Sequence, residues 1–355
     1  MRFHDKVVLV IGALGGLGAA IAEAFAAEGA RLILAARRPE LLAPLAARLG
    51  ATALAADLTD PASLALLRDS ALTVHARLDV VVNATGHDVR KPLLAHTPDD
   101  LRRTLEVNLL GAMELTRLFL PVMNDGVILH LGGFADGRLA FPYYSADVAS
   151  RAGLRSFVES ANRELALEGR RVGVAFFSPS PANTEAERPF HPLWRAMGTP
   201  IVSPERVAAQ VVNAVARRRP FTVMGGALTR AFAAINAIAP GLADALLMRR
   251  YGALMRRHFG GEEADGSSRS GAGKSIGRAL GILLVAVSIL AYLLLLAVPL
   301  LDATAVAKAG IASGLIVLGE VTFWVGAALL GRELVARFRH YLNPCSWFRR
   351  SGGTR

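Results

Sequence analysis

The run Lys6-Val-Val-Leu-Val-Ile-Gly-Ala-Leu-Gly-Gly-Leu-Gly18 decides the fold of this 355-residue chain. Its first six residues form an apolar run of the length expected for a buried strand. Gly12, Gly16 and Gly18 follow, and residues 17–28 then show helical spacing and strong helix formers. Glycines at a strand-to-helix turn permit a tight bend and let an anion approach the amides that open the helix. The stretch therefore predicts a turn that binds the pyrophosphate of a dinucleotide.

Short apolar runs alternate with helical stretches as far as residue 177, which predicts an α/β fold with a doubly wound parallel sheet, the Rossmann fold. The alternation favours nucleotide binding over a glycine turn with only a conformational role. The predicted strands are residues 6–11, 31–36, 51–55, 78–83, 126–131, 171–177 and 221–224. The predicted helices include residues 39–49, 61–75, 98–123, 143–168 and 204–218.

The spacing Gly12-x-x-x-Gly16-x-Gly18 resembles that of the short-chain dehydrogenase/reductase family, with Ile11 where threonine is usual. The resemblance covers about residues 1–224 and continues more loosely to residue 258. It implies a nicotinamide dinucleotide coenzyme and transfer of a hydride between that coenzyme and a carbonyl or alcohol carbon.

The second predicted strand is followed by Arg37 and Arg38. Dinucleotide folds place an acid here when they bind the ribose diol of NAD, whereas arginine offers forked donors that match a phosphate. The pair therefore predicts NADP(H), and a solvated charge pair is the alternative.

Further coenzyme contacts follow from the resemblance alone. It implies that Asp57 and Leu58 contact the adenine. It also implies that Asn83 and Gly86 form a turn lining the coenzyme site, and that Thr184 contacts the nicotinamide carboxamide.

The catalytic pattern of the family is only half present. The resemblance assigns Tyr144 as the proton-transferring tyrosine and Asn108 as the asparagine that supports a relay water. Val148 stands where the family has lysine, and Gly133 stands where it has serine. A tyrosine with a pKa of about 10 is only about 0.1% ionised at pH 7, so the missing lysine weakens any mechanism that needs tyrosinate. Reduction, in which a neutral tyrosine donates a proton, suffers less.

Three nearby residues are candidate substitutes, each with a simpler alternative. Arg151, two helical turns beyond Tyr144, could supply positive charge or be an ordinary surface arginine. Ser145 could replace the serine or cap the helix, and the cap is favoured. His130 could transfer protons or be packed in the sheet, and packing is favoured.

The formal net charge of +11 is concentrated at the C-terminal end, because residues 249–355 carry +8 of it around two long apolar runs. This distribution argues against nucleic acid as a partner and favours a lipid bilayer. Cys345 is the only cysteine, so an internal disulfide and a cysteine-based metal site are excluded.

The C-terminal apolar runs predict a membrane hairpin. We expect a nucleotide-binding domain at 1–258, a flexible linker at 259–275 and a module at 276–355 with spans at 280–301 and 309–330. Basic residues precede the first span and follow the second, whereas the connecting loop has only Lys308. This asymmetry predicts a multi-pass protein whose two ends and nucleotide-binding domain are cytoplasmic.

The second span contains features typical of helix contacts within a bilayer. Gly310 and Gly314 would allow two helices to approach closely. Glu320 marks either a proton or ligand path or, the favoured interpretation, a carboxyl bonded to a neighbour such as Ser288 or Tyr292. The module resembles the transporter suffix domain, which implies no chemistry.

Two functions fit these observations. The first is a membrane-anchored NADP(H)-dependent oxidoreductase that reduces an apolar carbonyl compound with Tyr144 as the acid. The second is a pseudoenzyme that binds NADP(H) as a sensor or membrane-associated interaction module, favoured by Gly133 and Val148. The family resemblance also implies a homo-oligomer.

Overall fold

One seven-stranded parallel sheet organises the N-terminal part of the chain in this computed structural model, which describes residues 1–260, 272–300 and 304–338. The strand order is β3-β2-β1-β4-β5-β6-β7, so the direction of winding reverses between β1 and β4. Ligands of such sheets bind beyond the carboxyl ends of the strands at this reversal. The strands are β1 Val7–Ile11, β2 Arg31–Ala36, β3 Thr52–Ala55, β4 Val80–Asn83, β5 Asp125–Leu131, β6 Arg171–Ser178 and β7 Phe221–Val223. The predicted doubly wound sheet is confirmed.

Helices cover both faces of the sheet, which explains why its central strands are apolar along their whole length. Val8 and Val10 of β1 contribute to the core cluster that contains Phe25, whereas Leu9 contributes to the cluster that contains Phe119. The helices are α1 Gly16–Ala27, α2 Ala43–Leu49, α3 Pro61–Val74, α4 Pro98–Leu105, α5 Gly111–Phe119, α6 Ser145–Leu167, α7 His191–Ala196, α8 Pro204–Ala216, α9 Ala227–Ile238, α10 Pro240–Gly260, α11 Ala272–Leu295 and α12 Ala305–Phe338.

The long helix predicted at 98–123 is not continuous. A π-helical turn at Glu106–Leu110 separates α4 from α5. This turn contains the buried Asn108, whose side chain bonds to the backbone of His87. Single π-helical turns are frequent at functional sites because they redirect a side chain out of the regular helix.

The domain boundaries differ from those predicted. One compact unit contains Met1–Ala237 together with the segment that begins at Tyr251, and Ile238–Arg250 groups with the C-terminal helices instead. The predicted linker at 259–275 is too long, because α10 extends to Gly260 and α11 begins at Ala272. Residues 261–271 lie outside the described part of the chain.

In the C-terminal unit, α11 and α12 contact each other through Tyr292. Its Oη donates a hydrogen bond of 2.8 Å to Glu320 Oε1, so Tyr292, one of the two predicted neighbours, is bonded to that carboxyl. A Cβ atom on Gly319 would lie 3.2 Å from the Tyr292 ring, so this glycine makes room for the contact. The glycines predicted to allow close approach do not, since a Cβ on Gly310 or Gly314 would meet no described atom within 4 Å.

Of the two predicted membrane spans, the structure supports one by length and composition. Within the described residues, Ala305–Phe323 is the one segment long and apolar enough to cross a bilayer. The span predicted at 280–301 is interrupted, because α11 ends at Leu295 and a short 3-10 helix follows at Val298–Leu300. Part of the predicted connection, residues 301–303, lies outside the described part of the chain.

Candidate active site

The glycine turn after β1 requires glycine at two positions. Gly12 has φ +83°, and a Cβ atom there would lie 2.8 Å from the carbonyl oxygen of Ala84. A Cβ on Gly18 would lie only 2.2 Å from the carbonyl oxygen of Gly12. Gly15, the N-cap of α1, provides no side-chain cap. The first amides of α1 are therefore available to an anion at the positive end of the helix.

A cleft of about 650 Å³ joins this turn to the predicted catalytic tyrosine. Gly16 and Thr184 line one end of the cleft, and Gly133 and Tyr144 line the other. A Cβ on Gly16 would lie 3.1 Å from Thr184 Cγ2, so Thr184 lies directly against the turn. The structure thus brings together residues that are far apart in the sequence.

A second cavity of about 340 Å³ lies at the carboxyl ends of β1, β2 and β3. It is lined by Arg37, Arg38, Asp57, Leu58 and Gly86. Arg37 and Arg38 are exposed, and neither side chain forms a hydrogen bond or ion pair within the part of the chain that the structure describes. Two guanidinium groups at this cavity are therefore available to a phosphate.

The side chain of Asp57 is hydrogen-bonded within a local turn. Its Oδ1 accepts hydrogen bonds from the backbone N and the Oγ1 of Thr59, at 2.9 and 2.7 Å. Burial acts to raise the pKa of Asp57, but these two hydrogen bonds, together with the positive charges of Arg37 and Arg103, hold the pKa below its usual value. Asp57 is therefore an ionised residue that shapes the cavity wall.

The turn after β4 is braced by Asn83. Its Oδ1 accepts hydrogen bonds from the backbone N and Oγ1 of Thr85, at 3.1 and 2.6 Å, which fixes the turn leading to Gly86. Its Nδ2 lies 3.3 Å from Nδ1 of His130, whose Nε2 lies 2.8 Å from Thr116 Oγ1. Burial lowers the pKa of His130 to about 4, so this histidine is neutral and structural. The packed interpretation of His130 was correct.

Asn108 is buried, and its side-chain amide is hydrogen-bonded to other residues of the protein. The Oδ1 accepts a hydrogen bond of 2.8 Å from the backbone N of His87. The Nδ2 donates to the carbonyl oxygen of His87 at 3.0 Å and to Ser150 Oγ at 3.3 Å. Asn108 thus holds the chain beyond Gly86 in place, and both of its N–H donors are already engaged.

Tyr144 immediately precedes α6, and its hydroxyl is buried in the cleft wall. The side chain is 2% exposed, and Oη forms no hydrogen bond with the described residues. Phe141, Trp194 and Phe259 surround the ring, with centroids 5.9, 6.1 and 5.9 Å away. Burial raises the pKa of Tyr144 well above its ordinary value, so the phenol is neutral at physiological pH. A buried hydroxyl without a partner in a cleft is suited to bond an oxygen of a ligand.

The two residues beside Tyr144 are Tyr143, whose backbone is strained, and Ser145, which was predicted to cap α6. Tyr143 has φ +71°, which is costly for a residue with a side chain, and its ring stacks on Phe259 at 4.8 Å. The N-cap of α6 is Tyr144, with no side-chain cap, and Ser145 is exposed within the first turn. The interpretation of Ser145 as a cap was wrong.

Arg151 takes up the space left by the glycine at position 133. A Cβ on Gly133 would lie 2.7 Å from Arg151 Nε and 2.9 Å from its Cδ. The guanidinium is buried, forms an ion pair of 2.6 Å with Asp88 and donates to the carbonyl oxygen of Leu131 at 3.4 Å. The interpretation of Arg151 as an ordinary surface residue was therefore wrong.

A second buried arginine was missed entirely. Arg90 donates two hydrogen bonds of 3.0 Å to Glu187 and one of 3.1 Å to Asp88. Its guanidinium carbon lies 5.0 Å from the centroid of the Tyr144 ring and 4.2 Å from that of Phe190. Arg90 thus links the turn after β4 to the loop after β6. Its positive charge also lies against the ring of Tyr144.

Asp147 completes the cluster of Asp88, Arg90, Asp147, Arg151 and Glu187, called the charge cluster below. Its Oδ2 lies 3.7 Å from Arg90 Nε, and its Oδ1 accepts a hydrogen bond of 3.2 Å from the backbone N of Val89. Burial, and then the negative charge of Asp88, raise the pKa of Asp147 to about 7. With three carboxyls and two guanidiniums, the cluster is neutral when Asp147 is protonated.

The sequence contained only a faint signal for this cluster. Asp88 and Arg90 closely follow Gly86, which was predicted to line the coenzyme site. Asp147 comes directly before Val148, the position where the family has lysine. Charged residues so near a predicted site were a signal that could have been used. Glu187 gave none, since only the folded loop brings it to Arg90.

Comparison with known proteins agrees with this geometry. The short chain dehydrogenase family model matches residues 6–192. Dehydrogenase/reductase SDR family member 7B of Bos taurus is 26% identical over 268 residues, which cover 70% of this chain and 82% of that protein. Dehydrogenase/reductase SDR family protein 7-like of Anopheles gambiae is 29% identical over 274 residues, covering 70% and 84%.

Two solved structures share the fold. A short chain dehydrogenase/reductase from Burkholderia phymatum, in complex with NAD, superposes with a TM-score of 0.59 at 24% identity, covering 70% of this chain and 97% of that one. The 3-ketoacyl-(acyl-carrier-protein) reductase from Brucella melitensis, complexed with NADH, gives a TM-score of 0.57 at 22% identity, covering 62% and 96%.

Proposed function

The chain belongs to the short chain dehydrogenase family, and from that premise we propose that it is a membrane-anchored oxidoreductase that uses NADP(H) to reduce an apolar carbonyl compound. The observation that carries the proposal is the continuous cleft from the glycine turn to the unpartnered hydroxyl of Tyr144. Turn, cleft and hydroxyl each match a need of hydride transfer: coenzyme binding, substrate binding and proton donation.

The residues present fit a nicotinamide dinucleotide. The open amides of α1 suit the pyrophosphate, and the two cavities of about 650 and 340 Å³ suit the nicotinamide and adenosine halves. Both structural relatives carry NAD or NADH. The reduced coenzyme would supply the hydride.

NADP(H) rather than NAD(H) is favoured by Arg37 and Arg38. Both guanidiniums border the smaller cavity, and neither forms an ion pair within the described residues. The carboxylate of Asp57 is held by Thr59 and stands after β3, not at the end of β2 where an acid would bind a ribose diol.

The aromatic walls favour an apolar substrate, and the neutral Tyr144 favours reduction. Phe134, Phe190 and Trp194 line the cleft together with Tyr144. A neutral phenol can donate a proton to the oxygen of a carbonyl as negative charge develops there. Alcohol oxidation would instead require tyrosinate, which the raised pKa of Tyr144 opposes.

A membrane anchor is supported by Ala305–Phe323 and by the basic residues around it. We propose a hairpin of α11 and α12 with both ends and the nucleotide-binding unit in the cytoplasm. The hydrogen bond between Tyr292 and Glu320 lowers the cost of a carboxyl at this depth. Anchoring would place the cleft near lipid-soluble substrates.

A pseudoenzyme is the second candidate, favoured by specific observations at the catalytic end. Val148 replaces the lysine, the amide of Asn108 is already engaged, and the Tyr144 hydroxyl lies beneath aromatic side chains. In that case the protein would bind NADP(H) as a sensor or as part of a membrane-associated interaction module, without turnover.

The deciding experiment uses the full chain purified in detergent, with NADPH or NADH and a panel of long-chain ketones and aldehydes. We expect carbonyl-dependent oxidation of NADPH, and a loss of about 10²–10⁴ in kcat for Tyr144→Phe, the range for a general acid. NADPH binding should be equal in the two proteins. Equal rates would remove the tyrosine mechanism, and tight NADPH binding without turnover would establish the pseudoenzyme.

The single cysteine provides a test of topology. We expect a membrane-impermeant maleimide to label Cys345 in inverted membrane vesicles but not in intact cells, because the tail should be cytoplasmic. Cys345→Ser should abolish labelling. Thr304→Cys in that background, between the helices, should show the opposite pattern. Labelling of Cys345 from outside the cell would overturn the orientation.

A further inference from the structure

Arg151 presents an unused donor to the cleft at the position of the missing serine. Its two Nη atoms bond to Asp88 and to Leu131, and within the described residues these are the hydrogen bonds that Arg151 donates, so Nε–H has no protein acceptor. Nε is the atom nearest to where a Cβ on Gly133 would stand, at 2.7 Å. A side chain at 133 and the guanidinium of Arg151 therefore compete for one space, and glycine leaves it to the arginine.

The surroundings fix this guanidinium in place. Asp88 pairs with Nη2 at 2.6 Å, and a Cβ on Gly86 would lie 3.3 Å from the same atom, so the turn after β4 packs closely on this end of the guanidinium. Arg151 and Tyr144 both line the same cleft. Because Asp88 uses Nη2 and Leu131 uses Nη1, the Nε–H is a donor that remains for a ligand.

We propose that Arg151 is a catalytic residue of the proposed reduction, and that its Nε–H and Tyr144 Oη together bind the oxygen of the substrate carbonyl. This inference rests on the proposed function and adds to it a specific donor pair. The guanidinium supplies both the hydrogen bond of the missing serine and a positive charge of the kind the missing lysine would provide.

The chemical step balances with these groups. The carbonyl carbon receives the hydride, with its two electrons, from the reduced coenzyme, and the π pair of the C=O bond moves to oxygen. That oxygen takes the proton of Tyr144 Oη, which gives the alcohol and a tyrosinate that solvent reprotonates. Arg151 stays protonated and stabilises the developing oxyanion, a contribution typically worth about 10²–10³ in kcat per donor.

The test measures binding, so it does not depend on turnover. Phenylacetate is the probe, because its carboxylate oxygen carries the charge that the carbonyl oxygen acquires and its ring suits the aromatic walls. Binding to the full chain in detergent at pH 6 is followed by the fluorescence of Trp194, which lines the cleft, with NADP⁺ saturating. We expect Arg151→Met to weaken binding at least tenfold, Arg151→Lys to weaken it only a few-fold, and Gly133→Ala to weaken it by displacing Nε.

Controls separate this inference from a folding defect and from failure of the proposed function. Arg163→Met removes an exposed arginine of the same helix and should change nothing. Asp88→Asn combined with Arg151→Met removes the stranded carboxylate and should still bind phenylacetate poorly. Equal phenylacetate affinity in wild type and Arg151→Met, or none in wild type, would overturn the inference. Absence of carbonyl turnover in wild type, with phenylacetate binding that still depends on Arg151, would overturn the reductase and the catalytic role but leave Arg151 as the residue that binds the ligand oxygen.

Discussion

At the coenzyme end of the cleft the backbone forms the site, whereas at the catalytic end buried charged side chains form it. The coenzyme end consists of Gly12, Gly16, Gly18 and the amides of α1, and two of these glycines have no room for a side chain. The catalytic end consists of Tyr144 and the charge cluster, in which each arginine bonds to more than one partner. One end follows the family pattern closely, and the other departs from it.

This difference shows which part of a site can keep its function when its residues are replaced by others. A backbone turn at contact distance admits no residue larger than glycine at Gly12 and Gly18. A charge requirement can be met by side chains from other elements. Arg90 and Arg151 bring positive charge to Tyr144 and Gly133 from a loop and a helix face, while Val148 contributes none.

The largest expected effect is at the coenzyme end. Gly18→Ala would place a Cβ 2.2 Å from the Gly12 carbonyl oxygen and force the turn to move. Overpacking of this kind costs about 1–3 kcal/mol, and we expect the upper part of that range, about a hundredfold loss of NADPH affinity. Fluorescence titration of NADPH measures it.

The matched control is Gly15→Ala, since its Cβ would lie an ordinary 3.4 Å from the same oxygen. This variant should bind NADPH within about threefold of wild type, about 0.6 kcal/mol. Equal losses in both variants would show that the coenzyme end depends on general flexibility rather than on close packing.

The next effect separates NADPH from NADH. Replacing both Arg37 and Arg38 by alanine removes two donors that border the smaller cavity. At about 1 kcal/mol for each exposed hydrogen bond, NADPH affinity should fall about thirtyfold while NADH affinity stays unchanged. Titration with both coenzymes provides the measurement, with Arg48→Ala, an exposed arginine paired to Glu23, as the control. A parallel fall for both coenzymes contradicts recognition of the 2′-phosphate.

A third experiment restores the family pattern at the catalytic end. Val148 is half-buried and one helical turn beyond Tyr144. Val148→Lys adds a third cation to the three carboxyls of the charge cluster and should lower the pKa of Tyr144. One unit of pKa corresponds to about 1.4 kcal/mol, so alcohol oxidation should become about tenfold faster, with less change in reduction.

The corresponding measurement is the initial rate of NADP⁺ reduction with long-chain alcohols, across pH 6 to 9. Val148→Met, which adds bulk without charge, should leave the rate at the wild-type level. An equal rise in both variants would mean that packing, rather than missing charge, limits the catalytic end.

Sequence reasoning succeeded where local pattern determines structure. All seven strands were predicted to within about two residues, because apolar runs buried on both faces contrast sharply with helical spacing. The glycine turn and Arg37 lie at the carboxyl ends of neighbouring strands, so their proximity followed from topology. The predicted neighbours of Glu320 included Tyr292 for a similar reason, since a hairpin fixes which residues face each other.

It failed where tertiary contacts decide. From its sequence position, Arg151 is predicted to be a surface residue of an amphipathic helix. Only the fold shows that Gly133 and Asp88 lie against it. Arg90 and Glu187 are 97 positions apart, and only the folded loop after β6 joins them. Serine is a common N-cap residue, but in α6 the N-cap position is Tyr144 and Ser145 lies in the first turn.

The smallest expected effect concerns the protonation of the charge cluster. The pKa of Asp147 is raised to about 7 in the folded protein, whereas an aspartate in an unfolded chain has a pKa of about 4. Between these values the native state holds a proton that the unfolded chain has lost, so this residue makes stability fall as pH rises from 4 to 7. Asp147→Asn keeps an acceptor for the backbone N of Val89 but cannot ionise.

The variant should therefore match wild type at pH 6 and be more stable at pH 8, by about 1 kcal/mol or about 2–4 °C in Tm. Thermal unfolding followed by tryptophan fluorescence at both pH values measures the difference. The opposite pH dependence of Asp88, whose pKa is lowered as its arginine partners outweigh burial, is common to both proteins and largely cancels. Asp69→Asn, at an exposed carboxyl, should leave Tm unchanged at either pH. If Asp147→Asn and wild type kept the same Tm difference at pH 6 and pH 8, the cluster would hold no extra proton, and the catalytic end would carry one net negative charge beside Tyr144.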